Sequence, residues 1–270
     1  MTATDFMLTG DGCRIAYRWD GRPDRSVLLL SNSLGTSLHL WDAQVPSWSD
    51  HFRVLRYDSR GHGKSDAPAG AYSMDRLGRD VIELLDALQL ETVHFCGLSM
   101  GGMVGQWLGA RAPTRIGRLA LCNTSAYMGP PSNWDARIAA VRTQGMASIA
   151  DAVVSRWFTP AHQKAAPKEV ARIRDMLLAT IPHGYAGCCA AIRDMDMRRT
   201  SALIENPTLV IAGDHDDATP RSDGEELAGA IAGARLAVLH AAHLSNVEQQ
   251  QTFTQTVLDF LTSASGTARP

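Results

Sequence analysis

A serine stands at the centre of Gly97-Leu98-Ser99-Met100-Gly101, between a stretch that favours strand and one that favours helix. Thr92-Val93-His94-Phe95-Cys96 precedes it, with β-branched and aromatic residues suited to a pleated surface. After it, Gly102 to Arg111 carries Met103, Val104, Trp107 and Leu108 at helical spacing. Flanking glycines permit the close backbone approach that a sharp strand-to-helix turn needs, and such a turn lifts the serine Oγ clear of the sheet. The next backbone N–H, that of Met100, then points from a helix N-terminus toward charge developing on an attacked carbonyl. Three fixed positions in a chain this long match by chance roughly one time in ten. The surrounding strand and helix therefore carry the weight.

The same alternation runs along most of the chain. Phe6 to Leu8 and Cys13 to Trp19 predict a hairpin around Gly10-Asp11-Gly12. Ser26 to Leu30 is apolar on both faces, as a central parallel strand should be. Phe52 to Tyr57, Thr92 to Leu98, Ile116 to Cys122, Pro207 to Ala212 and Arg235 to Leu239 supply further strands. Helices are predicted over Met74 to Leu88, where Leu77, Val81, Leu84, Leu85 and Leu88 share a face, and over Gly224 to Ala232 and Val247 to Leu261. This predicts an α/β fold with a mostly parallel eight-stranded sheet and helices on both faces. From about 125 to 195 the rhythm breaks into helix-like segments: Trp134 to Thr143, Met146 to Trp157, Lys168 to Ala179 and Tyr185 to Met195. The expected organisation is a core of residues 1–124 and 196–270 with a helical cap, 125–195, inserted over the strand C-termini.

Composition narrows the class. With 270 residues, 45% hydrophobic and 20% charged, the chain can bury a full core. A net charge of −2 favours neither a nucleic-acid partner nor an anionic membrane. No apolar stretch approaches the roughly 20 residues of a membrane span. Met1-Thr2-Ala3-Thr4-Asp5 lacks the features of a signal peptide. Five cysteines without metal-type spacing read as reduced, mostly buried thiols, and a cytoplasmic protein is expected. The small, polar tail from Thr262 to Pro270 is expected to fray.

A serine nucleophile needs an imidazole base and a group behind it that fixes the tautomer. Of nine histidines, His243 is singled out by its place in the loop Ala241-Ala242-His243-Leu244-Ser245-Asn246, between the last strand and last helix. His240 is expected to pack or cap the strand it continues, and His62 to hydrogen-bond within its own turn. Asp214, Asp216 and Asp217 crowd one loop after a strand, and any of them could serve as the acid. The order Ser…Asp…His is that of the α/β-hydrolases. The second oxyanion donor belongs in Ser31-Asn32-Ser33-Leu34-Gly35-Thr36, with the Leu34 N–H the expected group.

Several longer stretches sharpen this. Ser31 to Thr36 with Leu40-Trp41-Asp42, the run Tyr57 to Ser65, Gly97 to Met103, and the segment Gly184 to Asp194 together resemble the 3-oxoadipate enol-lactonases. Ala212 to Pro220 and Ala242 to Gln249 extend the resemblance over nearly the whole chain. It implies Ser99 as nucleophile, Asp216 as acid and His243 as base, with oxyanion donors at Leu34 and Met100. It also implies a small lactone substrate bearing a carboxylate, hydrolysed in aromatic-compound breakdown (the β-ketoadipate pathway), and no metal or organic cofactor. Asp214 stands where members often have an uncharged residue. For the substrate carboxylate, Trp134 and Arg137, three apart on one helical face, and Arg193 in the inserted segment are the candidates. The rival readings are a carboxylesterase, lactonase or carbon–carbon hydrolase with another small substrate, or a non-catalytic ligand-binding relative.

Overall fold

A computed structural model describes residues 4–263. The readings made at Met1–Ala3 and from residue 264 onward lie outside the described residues. The strands are β1 (Asp5–Leu8), β2 (Arg14–Asp20), β3 (Val27–Ser31), β4 (Arg53–Tyr57), β5 (Val93–Leu98), β6 (Ile116–Cys122), β7 (Thr208–Gly213) and β8 (Arg235–Leu239). They form one sheet in the order β1-β2-β4-β3-β5-β6-β7-β8. Only the pairings β1–β2 and β2–β4 are antiparallel; all others are parallel. Leu28-Leu29-Leu30 on β3 and all of β7 are buried along both faces, which is why these strands read as continuous apolar runs.

Helices α1 (Val45–Ser49), α2 (Met74–Ala87), α3 (Met100–Arg111), α9 (Arg221–Ala230), α10 (Ser245–Glu248) and α11 (Gln250–Thr262) cover the sheet. Of the predicted stripe, Leu77, Val81, Leu84 and Leu85 are buried on α2, while Leu88 is its half-buried C-cap. Among these sheet-covering helices two expectations shift. The single helix predicted over Val247 to Leu261 is two, because Gln249 leaves helical geometry at φ −117°, ψ 47°. The helix predicted from Gly224 begins at Arg221, directly after Pro220. Among the described residues no helix is long and apolar enough to cross a membrane.

Between β6 and β7 lie five helices: α4 (Pro131–Gln144), α5 (Ala147–Trp157), α6 (Pro160–Ala165), α7 (Pro167–Leu178) and α8 (Pro182–Asp194). An isolated bridge between Tyr127 and Asp196 joins the two ends of this segment. Helix α6 was not anticipated, although Thr159 caps it by accepting the His162 N–H and Pro160 opens it.

Small residues fix how α8 meets the sheet. Gly61 sits at φ +80°, and a Cβ there would lie 2.7 Å from Gly184 Cα; a Cβ on Gly184 would lie 2.5 Å from Gly61 Cα. Two backbones thus touch where any side chain would separate them. One turn along, the Tyr72 N–H donates to Gly187 O at 3.0 Å. The Arg60-Gly61-His62 turn receiving this helix is braced from below. Buried Arg60 pairs with buried Asp80 at 2.6 Å and with Asp11 at 2.9 Å.

Gly184→Ala must force these backbones apart and is expected to cost about 1–3 kcal/mol of stability. Gly229→Ala, on α9 with open space around its Cβ, is expected to be neutral or to stabilise by up to about 1 kcal/mol. Urea unfolding of both variants checks this; equal stability would contradict the close-approach explanation.

Candidate active site

Ser99 follows β5 directly and caps α3 at φ 58°, ψ −116°, a conformation that side chains disfavour. Its glycines are sterically required. A Cβ on Gly97 would lie 2.2 Å from Gly101 O, and one on Gly101 would lie 2.2 Å from Ser31 O. Hydrogen bonds hold the turn from three sides. Ser99 N–H donates to Cys122 O at 2.8 Å, Thr124 Oγ1 to Ser99 O at 2.8 Å, and Gly101 N–H to Asn32 O at 3.0 Å.

His243 and Ser99 line one cavity at the C-terminal end of the sheet. Behind His243, its Nδ1 lies 2.9 Å from Asp216 Oδ2, both side chains being almost fully buried. The three open aspartates therefore separate. Asp216 faces His243, Asp217 lines the cavity, and Asp214 pairs with exposed His240 at 3.0 Å. Asp216 also accepts N–H groups from Ala218 at 2.8 Å and Thr219 at 2.9 Å, the Thr219 hydroxyl at 2.7 Å and Asn123 Nδ2 at 3.0 Å. Burial alone would raise its pKa. The charge and hydrogen bond of His243, with the Thr219 and Asn123 donors, outweigh burial and hold it at about 2. Asn123, on the end of β6, was not anticipated from sequence; Ser245 Oγ donates to its Oδ1 and so orients its amide toward Asp216.

Across the cavity, Ser33 and Leu34 follow β3. Asn32 fixes this loop, accepting from Trp41 Nε1 at 2.8 Å and donating to Tyr57 O at 2.7 Å. Among the described residues no acceptor takes the Leu34 or Met100 backbone N–H. His62 does more than bond within its turn. Its Nδ1 donates to Arg60 O at 3.2 Å, while Nε2 accepts the N–H of Gly35, next to Leu34, at 2.8 Å.

The cavity encloses about 260 Å³, near the small end of ligand pockets. Trp134 and Arg137 line it as the helical spacing required, with the guanidinium 4.8 Å from the Trp134 ring centre. Arg193 does not. It points to the surface, held by Asp135 and Asp194 at 2.7 Å each, because α8 turns its neighbour Ile192 inward instead. The second cavity arginine is Arg156, on the last turn of α5, half-buried. Burial, then the nearby Arg137 charge, lowers its pKa. No ion pair among the described residues takes up Arg137 or Arg156. Sequence reasoning passed over Arg156; its place on an apolar helix, beside Trp157 and three after Val153, was the available signal. Asp214, His215 and His240 are the one set among the described residues with donor atoms close enough to share a metal ion, and all three are exposed.

Burial pushes the His62 pKa down to about 4 from 6.5. The unfolded chain gains that proton at higher pH than the folded one, so this contribution is complete above pH 6.5 and is lost as pH falls toward 4. The expected loss is about 2–3 kcal/mol between about pH 7 and about pH 4.5. Urea unfolding of the wild type and His62→Gln at both pH values checks it. The variant should lack this part of the pH dependence; an identical dependence would contradict a buried neutral imidazole.

Comparison with known proteins places the fold. The model of the alpha/beta hydrolase fold matches residues 26–250. The 3-oxoadipate enol-lactonase 2 of Acinetobacter baylyi is 43% identical over 250 residues, spanning 93% of this chain and 94% of that protein. The crystal structure of a hydrolase from Pseudomonas aeruginosa PA01 superposes with a TM-score of 0.94 at 54% identity, covering 96% of this chain and 98% of that one. The crystal structure of the enol-lactonase from Burkholderia xenovorans LB400 gives 0.94 at 47% identity, covering 96% and 100%. This chain belongs to the 3-oxoadipate enol-lactonase family of the α/β-hydrolases.

Proposed function

We propose that the protein hydrolyses 3-oxoadipate enol-lactone to 3-oxoadipate, with Ser99 as nucleophile, His243 as base and Asp216 as the acid behind it. One observation carries the reading: Ser99 and an Asp216-backed His243 share a small cavity that also holds two arginines with no ion-pair partner among the described residues. Residues 125–195 act as a cap on the 1–124 and 196–270 core, and keep bulk water from the reacting atoms. The reduced, buried cysteines suit a cytoplasmic setting.

In this mechanism Ser99 Oγ attacks the ring carbonyl while His243 Nε2 takes its proton. The oxyanion rests on the N–H groups of Leu34 and Met100. Collapse breaks the ring C–O bond and expels an enolate, which takes the proton back from His243 Nε2 and becomes the ketone, leaving the imidazole neutral. The acyl chain stays on Ser99 until water, giving its proton to His243, attacks the ester; His243 then returns that proton to Ser99 Oγ as the acyl–oxygen bond breaks and the acid is released. Asp216 keeps the Nδ1–H tautomer in place and stabilises the imidazolium between these steps. Arg137 and Arg156 take the carboxylate of the acetate arm, and Trp134 holds the Arg137 guanidinium by its ring face.

Ultraviolet-monitored turnover of the enol-lactone, beside a neutral ester such as p-nitrophenyl acetate, tests the reading. The wild type should prefer the lactone, and Ser99→Ala should lose both activities. Arg137→Met and Arg156→Met are each expected to lower kcat/KM on the lactone by about 10- to 100-fold, the worth of a charge-assisted hydrogen bond, and to spare the ester. Arg193→Met should change neither. Comparable losses on both substrates would contradict carboxylate recognition.

The oxyanion assignment has its own test. Leu34→Pro deletes the N–H and is expected to cost about 100- to 1000-fold in kcat, whereas Leu34→Ala keeps it and should cost far less. Equal kcat for the two variants would overturn it.

A further inference from the structure

Glu248, the last residue of α10, is half-buried and enters no ion pair among the described residues. Its carboxylate instead gathers donors from two distant parts of the chain. Oε2 accepts the Ala242 N–H at 3.0 Å and the Thr159 N–H at 3.3 Å, and Oε1 accepts the Thr159 hydroxyl. Ala242 immediately precedes His243. The N–H on the other side of His243, that of Leu244, donates to Trp157 O at 3.0 Å. Both backbone groups flanking the imidazole are thus tied to the junction of α5 and α6, one directly and one through Glu248. That junction also carries Arg156 and Trp157, which line the cavity.

We propose that Glu248 is a positioning residue for His243, a latch through which the cap sets the aim of the catalytic base. An unpaired carboxylate on three neutral donors is an uneconomical way to stabilise a helix end, since a neutral acceptor could satisfy them. Its value lies in strength: charge-assisted hydrogen bonds are shorter and hold geometry better than neutral ones. The base needs that precision, because productive proton transfer tolerates about 0.5 Å and 10–20° of error. The loop from Ala242 to Leu244 carries no regular structure of its own, so these two N–H ties help set its course, beside the Asn123 amide on Ala242 O at 3.3 Å and the His243 bond to Asp216. The proposal rests on His243 being the base, and not on the identity of the lactone.

The test measures kcat and KM for wild type, Glu248→Ala and Glu248→Gln on the enol-lactone and on p-nitrophenyl acetate, with thermal melting as the folding check. Glu248→Ala is expected to lower kcat about 10- to 100-fold on both substrates, as a small misplacement of a reacting group does, with KM nearly unchanged. Glu248→Gln keeps a carbonyl to accept the two N–H groups but loses the charge that strengthens them, and should recover only part of the loss. If Glu248→Ala fails to fold, Glu248→Asp, which withdraws the carboxylate by one methylene, should show the same fall in kcat. Wild-type kcat in the Ala variant (or in the Asp variant, where that stands in for it), a loss confined to KM, or no recovery with Gln would each overturn the latch. A wild type that cleaves the ester but not the lactone would sink the substrate assignment alone and leave the latch still measurable on the ester.

Discussion

The constraint on which the rest of the structure depends is the backbone at Ser99, held at a positive φ that costs on the order of 1–3 kcal/mol for a residue with a side chain. It persists because its surroundings leave no alternative. Gly97 and Gly101 are in backbone contact with what lies opposite them, and Asn32 O, Cys122 O and Thr124 Oγ1 each take part in fixing the turn. Those partners sit on the ends of β3 and β6 or just beyond, the two neighbours of β5. The parallel sheet is therefore the jig for the turn. The same strand ends also launch the Leu34 loop and Asn123, so one set of backbone positions aligns the hydroxyl, two N–H groups and the support for Asp216.

Charge is sorted around that turn in a way that suits acyl transfer. Asp216 is buried yet kept ionised by His243 and four hydrogen-bond donors, while His62, equally buried, is kept neutral so that it can accept the Gly35 N–H. One histidine faces a carboxylate and the other only backbone groups, so burial leaves the second without a counter-charge. The cavity lining carries two arginines, Arg137 and Arg156, that enter no ion pair among the described residues. The Arg193 guanidinium, only two positions from inward-facing Ala191, is spent on surface ion pairs.

Much of this was legible in the residues. The eight strands and the helical segment between β6 and β7 follow from apolar runs and helical periodicity, which report burial directly. The Trp134–Arg137 pair was readable because residues three apart share a helix face. What stayed hidden depended on distant contacts. The residues around Asp214 and Asp216 leave the choice open, and only the resemblance implied Asp216; in the structure Asp216 faces His243, 27 residues away, and takes the amide of Asn123, 93 residues away. Arg193 and Arg156 look alike as letters, and only the packing of α8 and α5 sends one outward and the other inward. The glycines of the inserted segment marked a family resemblance, but their reason, backbone contact between Gly61 and Gly184, needs coordinates. The break at Gln249 and the short helix α6 fall below what periodicity resolves.

The rate and location of labelling by a fluorophosphonate test the central claim most directly, because that reagent phosphonylates a serine only where an aligned base takes its proton. Peptide mapping should find the adduct on Ser99, with labelling slowed by orders of magnitude in Asp216→Asn and unchanged in Asp214→Asn. An adduct elsewhere, an unlabelled Ser99, or a rate that depends on Asp214 and not on Asp216 would contradict it.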